Sequence, residues 1–221
     1  MQYNYHFDLI LQRIKDMLSK EPFNKVTMLG DLTSKIKDPY VVLVATILSH
    51  RTKDEITEKV VVDFIKKYPT VFDLYKAEHE ELRNTIRKVG FYNNKAKILI
   101  RLAKVLVEEY KGKVPSSIEE LLKLPGVGRK TANCVLVYAY DIPAIPVDTH
   151  VHRIFNRLGI VETKTPEETE EELKRKIDIK YWKEINDVFI RFGKSICKPL
   201  KPNCRICTLK DFCKYYQKSL K

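Results

Sequence analysis

Residues 124–130 read Leu-Pro-Gly-Val-Gly-Arg-Lys and place two glycines in a tight turn before a predicted helix, with Lys130 in the first turn of that helix. The N-terminus of a helix carries unpaired N–H groups that suit a bound phosphate. A lysine at such a site is either a charge partner for the phosphate or, once it has lost its proton, an amine nucleophile. The residue types alone leave both chemistries open.

Asp148 is the second candidate, because it stands directly before another predicted helix. An aspartate at this position commonly caps the helix with a side-chain oxygen. The same carboxylate can accept a proton or stabilise a positive charge that develops during a reaction. The two roles are compatible, since a cap fixes the position of the carboxylate.

Four of the five cysteines lie on one short stretch with the spacing C-x6-C-x2-C-x5-C, namely Cys197, Cys204, Cys207 and Cys213. Four thiolates this close together can surround a single metal centre, and Pro199 and Pro202 favour an irregular loop over a helix. Zinc modules usually contain two close cysteine pairs, whereas this loop has one. The spacing leaves both a zinc ion and a 4Fe–4S cluster open.

The chain is strongly basic, because its 221 residues include 41 Lys and Arg against 29 Asp and Glu, a formal net charge of +12. Such an excess favours a polyanionic partner, since each neutralised phosphate releases counterions. The alternative is a basic surface that binds nothing.

No apolar run approaches the ~20 residues that span a bilayer, and the first residues lack the pattern of a signal peptide. We therefore expect no membrane association and an intracellular protein with reduced thiols. Clustered cysteines in that setting bind metal more often than they form disulfides.

Apolar residues recur at helical spacing along most of the chain, which predicts an all-α fold. Asp38 and Pro39 predict the start of a helix that is apolar all round over residues 40–48, as expected at the centre of a bundle. An earlier helix has a single apolar face, formed by Phe7, Ile10, Leu11, Ile14, Met17 and Leu18.

Local signals predict further helix boundaries. Thr52 with Glu55 predicts a capping box at the start of a helix. Gly90 is expected to close a later helix, and Asn93 or Asn94 to cap the long helix that follows.

From about residue 38 to residue 213 the chain resembles the endonuclease III family of DNA glycosylases, within the helix-hairpin-helix glycosylase superfamily. Three motifs carry the resemblance: residues 124–133, residues 147–150 (Val-Asp-Thr-His) and the cysteine loop. Their order and spacing match the family together.

The resemblance implies two helical domains with a DNA-binding cleft between them. Residues 32–142 would form a six-helix barrel that contains the helix-hairpin-helix. Residues 1–31 and 143–221 would form a discontinuous helical domain that carries a 4Fe–4S cluster. Pro143 and Pro146 mark the expected crossing from one domain to the other.

The resemblance also assigns roles to residues. Lys130 matches the catalytic lysine of the family and Asp148 its catalytic aspartate. The four cysteines of the loop match the cluster ligands. The expected DNA-binding residues are Arg51, Phe91, Gly126, Gly128, Arg129 and His150, although His150 could instead fill space.

Arg51 and Phe91 depart from the usual family pattern. Arg51 stands where a glutamine commonly fills the hole left by the extruded base, and Phe91 stands where an aliphatic wedge is common. Judged on residue type alone, Arg51 could also be a phosphate contact or a surface charge, and Phe91 a core aromatic. These departures bear on the choice of damaged base and opposite base.

The resemblance thus implies a bifunctional base excision repair enzyme: a DNA glycosylase that removes oxidised pyrimidines and cleaves the abasic site by β-elimination through a lysine Schiff base. The alternatives are a monofunctional mismatch glycosylase for thymine, uracil or adenine and a non-catalytic DNA-binding protein with a metal loop. We expect a monomer that acts on damaged double-stranded DNA and, for a prokaryotic source, a cytoplasmic, nucleoid-associated enzyme.

Overall fold

The computed structural model describes residues 2–219, and the side chains of residues 6–32 and 35–219. Over that range the backbone forms helices, turns and loops, with no β-strand. The predicted all-α class is confirmed. Contacts divide the chain into a continuous unit, residues 28–142, and a discontinuous unit, which joins the residues up to 27 to those from 143 onward. The continuous unit begins at residue 28 and not at the expected residue 32, so residues 28–31 belong to it and not to the discontinuous unit.

The α-helices, in chain order, are α1 (Gln2–Leu18), α2 (Met28–Lys35), α3 (Pro39–Ser49), α4 (Asp54–Lys67), α5 (Val71–Tyr75), α6 (His79–Thr85), α7 (Tyr92–Glu108), α8 (Ile118–Leu121), α9 (Arg129–Tyr138), α10 (Thr149–Leu158), α11 (Pro166–Lys176), α12 (Trp182–Ser195) and α13 (Lys214–Ser219). Short 3-10 turns occupy Ile179–Tyr181 and Lys210–Phe212. No helix in the described part of the chain is both long and apolar enough to cross a bilayer.

Helix α3 is the centre of the continuous unit. Its N-cap is Asp38, whose Oδ1 accepts from the backbone N–H of Tyr40 at 2.8 Å and of Val41 at 3.1 Å. Residues 40–48 are all buried, and α3 packs against both α4 and α9. The predicted start and the all-round burial of this helix are both confirmed.

The predicted capping box at Thr52 is wrong. Helix α4 begins at Asp54 after Lys53, which makes no side-chain cap. The Thr52 hydroxyl instead accepts from the backbone N–H of Gly90 at 3.0 Å, a partner 38 residues away. A long-range hydrogen bond has therefore replaced the local one that the sequence pattern suggested.

Two boundaries around α7 also differ from the prediction. The preceding helix ends at Thr85 and is not closed by Gly90, and Asn93 and Asn94 lie inside the first turn of α7. The N-cap of α7 is Phe91, whose φ of +58° is in the left-handed region. Local capping rules did not reveal this conformation, because non-glycine residues seldom adopt it.

The discontinuous unit is built on α1, α10 and α12. The predicted apolar face of α1 is buried over its full length, from Phe7 to Leu18. Phe155 of α10 stacks on Phe189 of α12 with a centroid separation of 4.4 Å, and Phe7 of α1 lies 6.0 Å from Phe155. These three aromatic side chains join the first helix of the chain to two helices more than 130 residues later.

Helix α4 offers a matched test of the core of the continuous unit. Val61 is 1% exposed and its neighbour Val62 is 44% exposed. We expect Val61→Ala to lower the free energy of unfolding by about 2 kcal/mol, because it removes buried methyl groups and leaves a cavity. Val62→Ala should change it by less than about 0.5 kcal/mol. Urea denaturation followed by circular dichroism measures both, and equal effects would contradict the assigned burial.

Candidate active site and metal centre

The two glycines of the hairpin between α8 and α9 serve different purposes. Gly126 has a φ of +77°, and a Cβ at this position would overlap the side chain of Ile98. Gly128 is the N-cap of α9 with a φ of −97°, and a Cβ there would meet no atom within 4 Å. The turn therefore requires the first glycine, whereas the second leaves the start of α9 without a side-chain cap.

Lys130 is half-buried in the first turn of α9, as the sequence predicted. The hydroxyl of the next residue, Thr131, lies 3.3 Å from Nε2 of His50 at the end of α3. Desolvation, and then the positive charges of Lys130 and Lys95, lower the pKa of His50 to about 4. His50 as a whole is exposed, which weakens the desolvation of its ring. The two lysine charges nevertheless lower the pKa of His50 in the same direction, so the imidazole is neutral at pH 7.

Arg51 and Phe91 lie together on the surface of the continuous unit. The Arg51 guanidinium lies 5.2 Å from the centroid of the Phe91 ring, within the range of a cation–π contact. Phe91 is 61% exposed, which excludes the core-aromatic interpretation. Both residues have positive φ angles, +51° and +58°. Left-handed backbone at non-glycine residues is concentrated at functional sites.

Lys95 is a residue of this region that sequence reasoning missed. It is 5% exposed on α7, and its ammonium donates to the carbonyls of Leu48 and His50 at 2.7 and 2.6 Å and to Thr52 Oγ1 at 3.2 Å. Burial lowers the pKa of Lys95 to about 8. A signal was present in the sequence, since a lysine occupies the apolar stripe that continues with Leu99 and Leu102.

Asp148, in the discontinuous unit, is the N-cap of α10. Its Oδ1 accepts from the backbone N–H groups of His150 and Val151, both at 2.9 Å. This capping role is confirmed, and the carboxylate is held in place while remaining half-buried. His150 packs on Gly193 of α12, where an added Cβ would overlap its ring, and its Nδ1 lies 3.1 Å from Arg153 Nη2.

The four loop cysteines line one pocket in the discontinuous unit, together with apolar side chains of α10 and α12. The fifth cysteine, Cys134, is buried in the continuous unit away from them. Among the described residues, no three His, Cys, Asp or Glu side chains are grouped closely enough to hold one metal ion. Burial raises the pKa of Cys207 to about 11. The four cysteines therefore line one pocket without converging on the position of a single ion.

Two arginines on α10, which the sequence did not single out, support the cysteine loop. Arg157 donates to the carbonyls of Lys198 and Pro199 at 2.7 and 2.6 Å, and its Nη1 lies 3.4 Å from Cys197 Sγ. Arg153 donates to the carbonyl of Cys197 at 2.9 Å. These bonds satisfy carbonyls of a loop that has little regular structure of its own.

The hairpin glycines allow a paired stability test. Gly126→Ala should lower the free energy of unfolding by about 2 kcal/mol or more, because left-handed backbone disfavours a Cβ and the methyl would overlap Ile98. Gly128→Ala should change it by less than about 0.5 kcal/mol, since its Cβ would enter open space. Chemical denaturation of the two variants checks this difference, and a larger loss for Gly128→Ala would refute it.

Several known proteins are similar to this chain in sequence. Residues 44–178 match the family described as HhH-GPD superfamily base excision DNA repair protein. Endonuclease III of Thermotoga maritima is 50% identical over 184 residues, which cover 83% of this chain and 86% of that protein.

Two solved structures share the fold over nearly the whole chain. A non-covalent endonuclease III–DNA complex matches with a TM-score of 0.86 and 34% identity, covering 98% of this chain and 97% of that one. A thermostable thymine-DNA glycosylase matches with a TM-score of 0.83 and 27% identity, covering 96% of each chain. The family match and the 50% identity to the Thermotoga maritima protein agree with these two structures. The chain therefore belongs to the endonuclease III family, within the HhH-GPD superfamily of base excision DNA repair proteins.

Proposed function

We propose that the protein is a bifunctional DNA glycosylase and abasic-site lyase that removes oxidised pyrimidines from double-stranded DNA. The observation that carries the proposal is the placement of Lys130, in the first turn of a helix whose N-cap is a glycine and makes no side-chain cap. The N-terminus of such a helix suits a phosphate. The Thermotoga maritima relative is an endonuclease III, and a similar solved structure is an endonuclease III bound to DNA, which supports DNA as the partner. The net charge of +12 suits the same partner.

The hairpin would hold the DNA backbone. Gly126 and Gly128 are both exposed, and Gly128 offers no Cβ to keep a phosphate away from the start of α9. Arg129, beside Lys130, adds positive charge at the same helix end. The phosphate contacts would set the register of the protein on the strand without reading sequence.

The target nucleotide must leave the stacked duplex before its anomeric carbon can be reached. We assign to Arg51 and Phe91 the task of occupying the gap. Their exposure and their mutual contact support this assignment, because side chains that unstack a base step must project from the surface.

The chemistry follows from a lysine nucleophile. The neutral Lys130 amine attacks C1′, and the bond from C1′ to the base breaks, with the electron pair leaving on the base. The Asp148 carboxylate would stabilise the positive charge that develops on the sugar or take the proton from the amine. The nitrogen lone pair then expels O4′, so the C1′–O4′ bond breaks, O4′ takes a proton and a Schiff base with the opened sugar forms. This Schiff base acidifies the C2′ proton. Loss of that proton expels the 3′ phosphate and cleaves the strand, and water then releases the lysine.

A monofunctional mismatch glycosylase is the second candidate, and the structural similarity to a thymine-DNA glycosylase favours it. Such an enzyme activates water and needs no amine nucleophile. Lys130 supports the bifunctional assignment, since monofunctional mismatch glycosylases typically lack a lysine at this position. A G·T duplex would separate the two, because only the second candidate should excise thymine from it.

We propose that the cysteine loop holds a 4Fe–4S cluster through Cys197, Cys204, Cys207 and Cys213. The four side chains fit such a group, because they line one pocket without converging on the position of a single ion, and four thiolates are the ligand set of a 4Fe–4S cluster. A zinc ion would require four sulfurs about 2.3 Å from one point. The cluster would supply folding energy and a rigid basic loop, with no electron transfer in the catalytic steps.

We further propose that the enzyme acts as a monomer on damaged DNA and, in a prokaryotic source, at the nucleoid. The hairpin, the exposed pair and the capped aspartate are all supplied by one chain.

Replacement of Lys130 tests the reaction. Borohydride should trap the wild-type protein covalently on duplex DNA that contains thymine glycol or an abasic site, because it reduces the Schiff base. Lys130→Gln should abolish trapping and strand cleavage while lesion binding stays within about tenfold, or ~1.4 kcal/mol. Lys123→Gln, at an exposed lysine of the same hairpin, is the matched control and should trap normally. Wild-type cleavage by Lys130→Gln would reduce the lysine to a phosphate partner.

Asp148→Asn belongs to the same experiment. It keeps an oxygen that can cap α10 but removes the charge, so turnover should slow severely while the protein remains folded. Unchanged turnover would mean that Asp148 is only a cap.

Metal analysis tests the cluster. Anaerobically purified protein should be brown and contain about four iron and four sulfide per chain. Cys207→Ser should lose most of the iron, whereas Cys134→Ala, at the cysteine outside the loop, should retain it. Stoichiometric zinc without iron would overturn the assignment.

A further inference from the structure

Lys95 carries a charge into the interior at a position where an apolar residue would be cheaper to bury. Its hydrogen-bond partners within the described residues are three uncharged oxygens, those of Leu48, His50 and Thr52. A buried ammonium with only uncharged partners is not the usual way to stabilise a core. Its effect is on the segment whose oxygens it binds.

That segment is the end of α3 together with the turn that follows it, residues 48–52. The last carbonyls of a helix have no intrahelical partner, and their negative end attracts a cation. Lys95 donates to two of these carbonyls and to the hydroxyl that follows them. One ammonium thus fixes the turn from its buried side.

Gly90 makes a second contact with the same turn. The backbone N–H of Gly90 donates to Thr52 Oγ1 at 3.0 Å. A Cβ at Gly90 would overlap the carbonyl oxygen of Arg51, so the two backbones are in direct contact. The turn at residues 48–52 and the segment in front of α7 therefore form one locked structure.

Arg51 and Phe91 project from this structure. Each has left-handed backbone, and the guanidinium of one lies over the ring of the other. The turn is also linked to the catalytic helix, because His50 reaches Thr131 beside Lys130. A change in the turn would therefore move the pair that enters the duplex.

We propose that Lys95 is a positioning residue for base extrusion, which holds residues 48–52 so that Arg51 and Phe91 enter the duplex as one preformed unit. The inference rests on the proposed function, since it assigns Arg51 and Phe91 to the gap left by the extruded base. Lys95 itself is buried and need not touch the DNA.

A pair of substrates separates this role from general stability. Duplex DNA with thymine glycol requires extrusion, whereas a single-stranded abasic oligonucleotide has no stacked base to extrude. Lys95→Met should lower kcat/KM on the duplex at least tenfold and leave lyase activity on the single strand within about twofold of wild type. Lys104→Met, the same change on the exposed side of α7, should alter neither. Equal losses on both substrates, or no loss on the duplex, would overturn the proposal.

A double-mutant cycle tests whether Lys95 acts through the inserted pair. In an Arg51→Ala background, Lys95→Met should lower duplex activity by less than about threefold more, because residues that act as one unit are not additive. A full tenfold additional loss would show that Lys95 acts independently of Arg51 and would contradict the proposal.

Thr52→Val decides the matter if Lys95→Met does not fold. It removes the hydroxyl shared by Lys95 and Gly90 at a half-buried position. It should cause a smaller loss, about threefold, that is again selective for the duplex, and equal effects on both substrates would refute the inference. Borohydride trapping of the wild-type protein separates the two proposals. An absence of trapping overturns the proposed function. Normal trapping, with a ratio of duplex to single-strand activity that is unchanged in the variants, overturns only the role of Lys95.

Discussion

The structure depends on how the polar groups at its helix ends are satisfied, because an α-helix leaves its first N–H groups and last carbonyls without intrahelical partners. Three ends meet this constraint in three ways. The last carbonyls of α3 receive the Lys95 ammonium, and the first N–H groups of α10 receive the Asp148 carboxylate. Helix α9 begins at Gly128, which brings no side-chain acceptor. The candidate nucleophile, the carboxylate and the exposed pair all stand at or beside such ends.

Rigidity at the exposed pair has a cost in backbone energy. Left-handed conformation at a residue with a Cβ is disfavoured by about 1–2 kcal/mol, and Arg51 and Phe91 both adopt it. The surrounding contacts offset that cost by fixing the two segments against each other through Gly90 and Thr52. A pair that is already arranged loses less side-chain freedom when it enters DNA than two independent residues would.

The sequence predicted those parts of the structure that local chemistry determines. The apolar face of α1, the buried helix after Asp38, the hairpin glycines and the Asp148 cap follow from periodicity and from capping preferences within a few residues. The errors arose where a distant partner competes. Thr52 bonds to Gly90 and not to its own helix, and the lysine at 95 is explained only by carbonyls more than 40 residues away. The roles of Lys130 and Asp148 rested on family resemblance, since each residue type alone permits a simpler role.

The discontinuous unit has a consequence for how the chain is made. Helix α1 leaves the ribosome before α10 and α12, yet the aromatic partners of Phe7 are Phe155 on α10 and Phe189 on α12. At roughly 5–20 residues per second, α1 waits on the order of 10 to 30 seconds for α12 to emerge. The continuous unit can fold during this interval, but the apolar face of α1 has no native surface to cover it. Shielding of α1 during synthesis, by the ribosome surface or by a chaperone, would keep this apolar face from aggregating until its partners emerge.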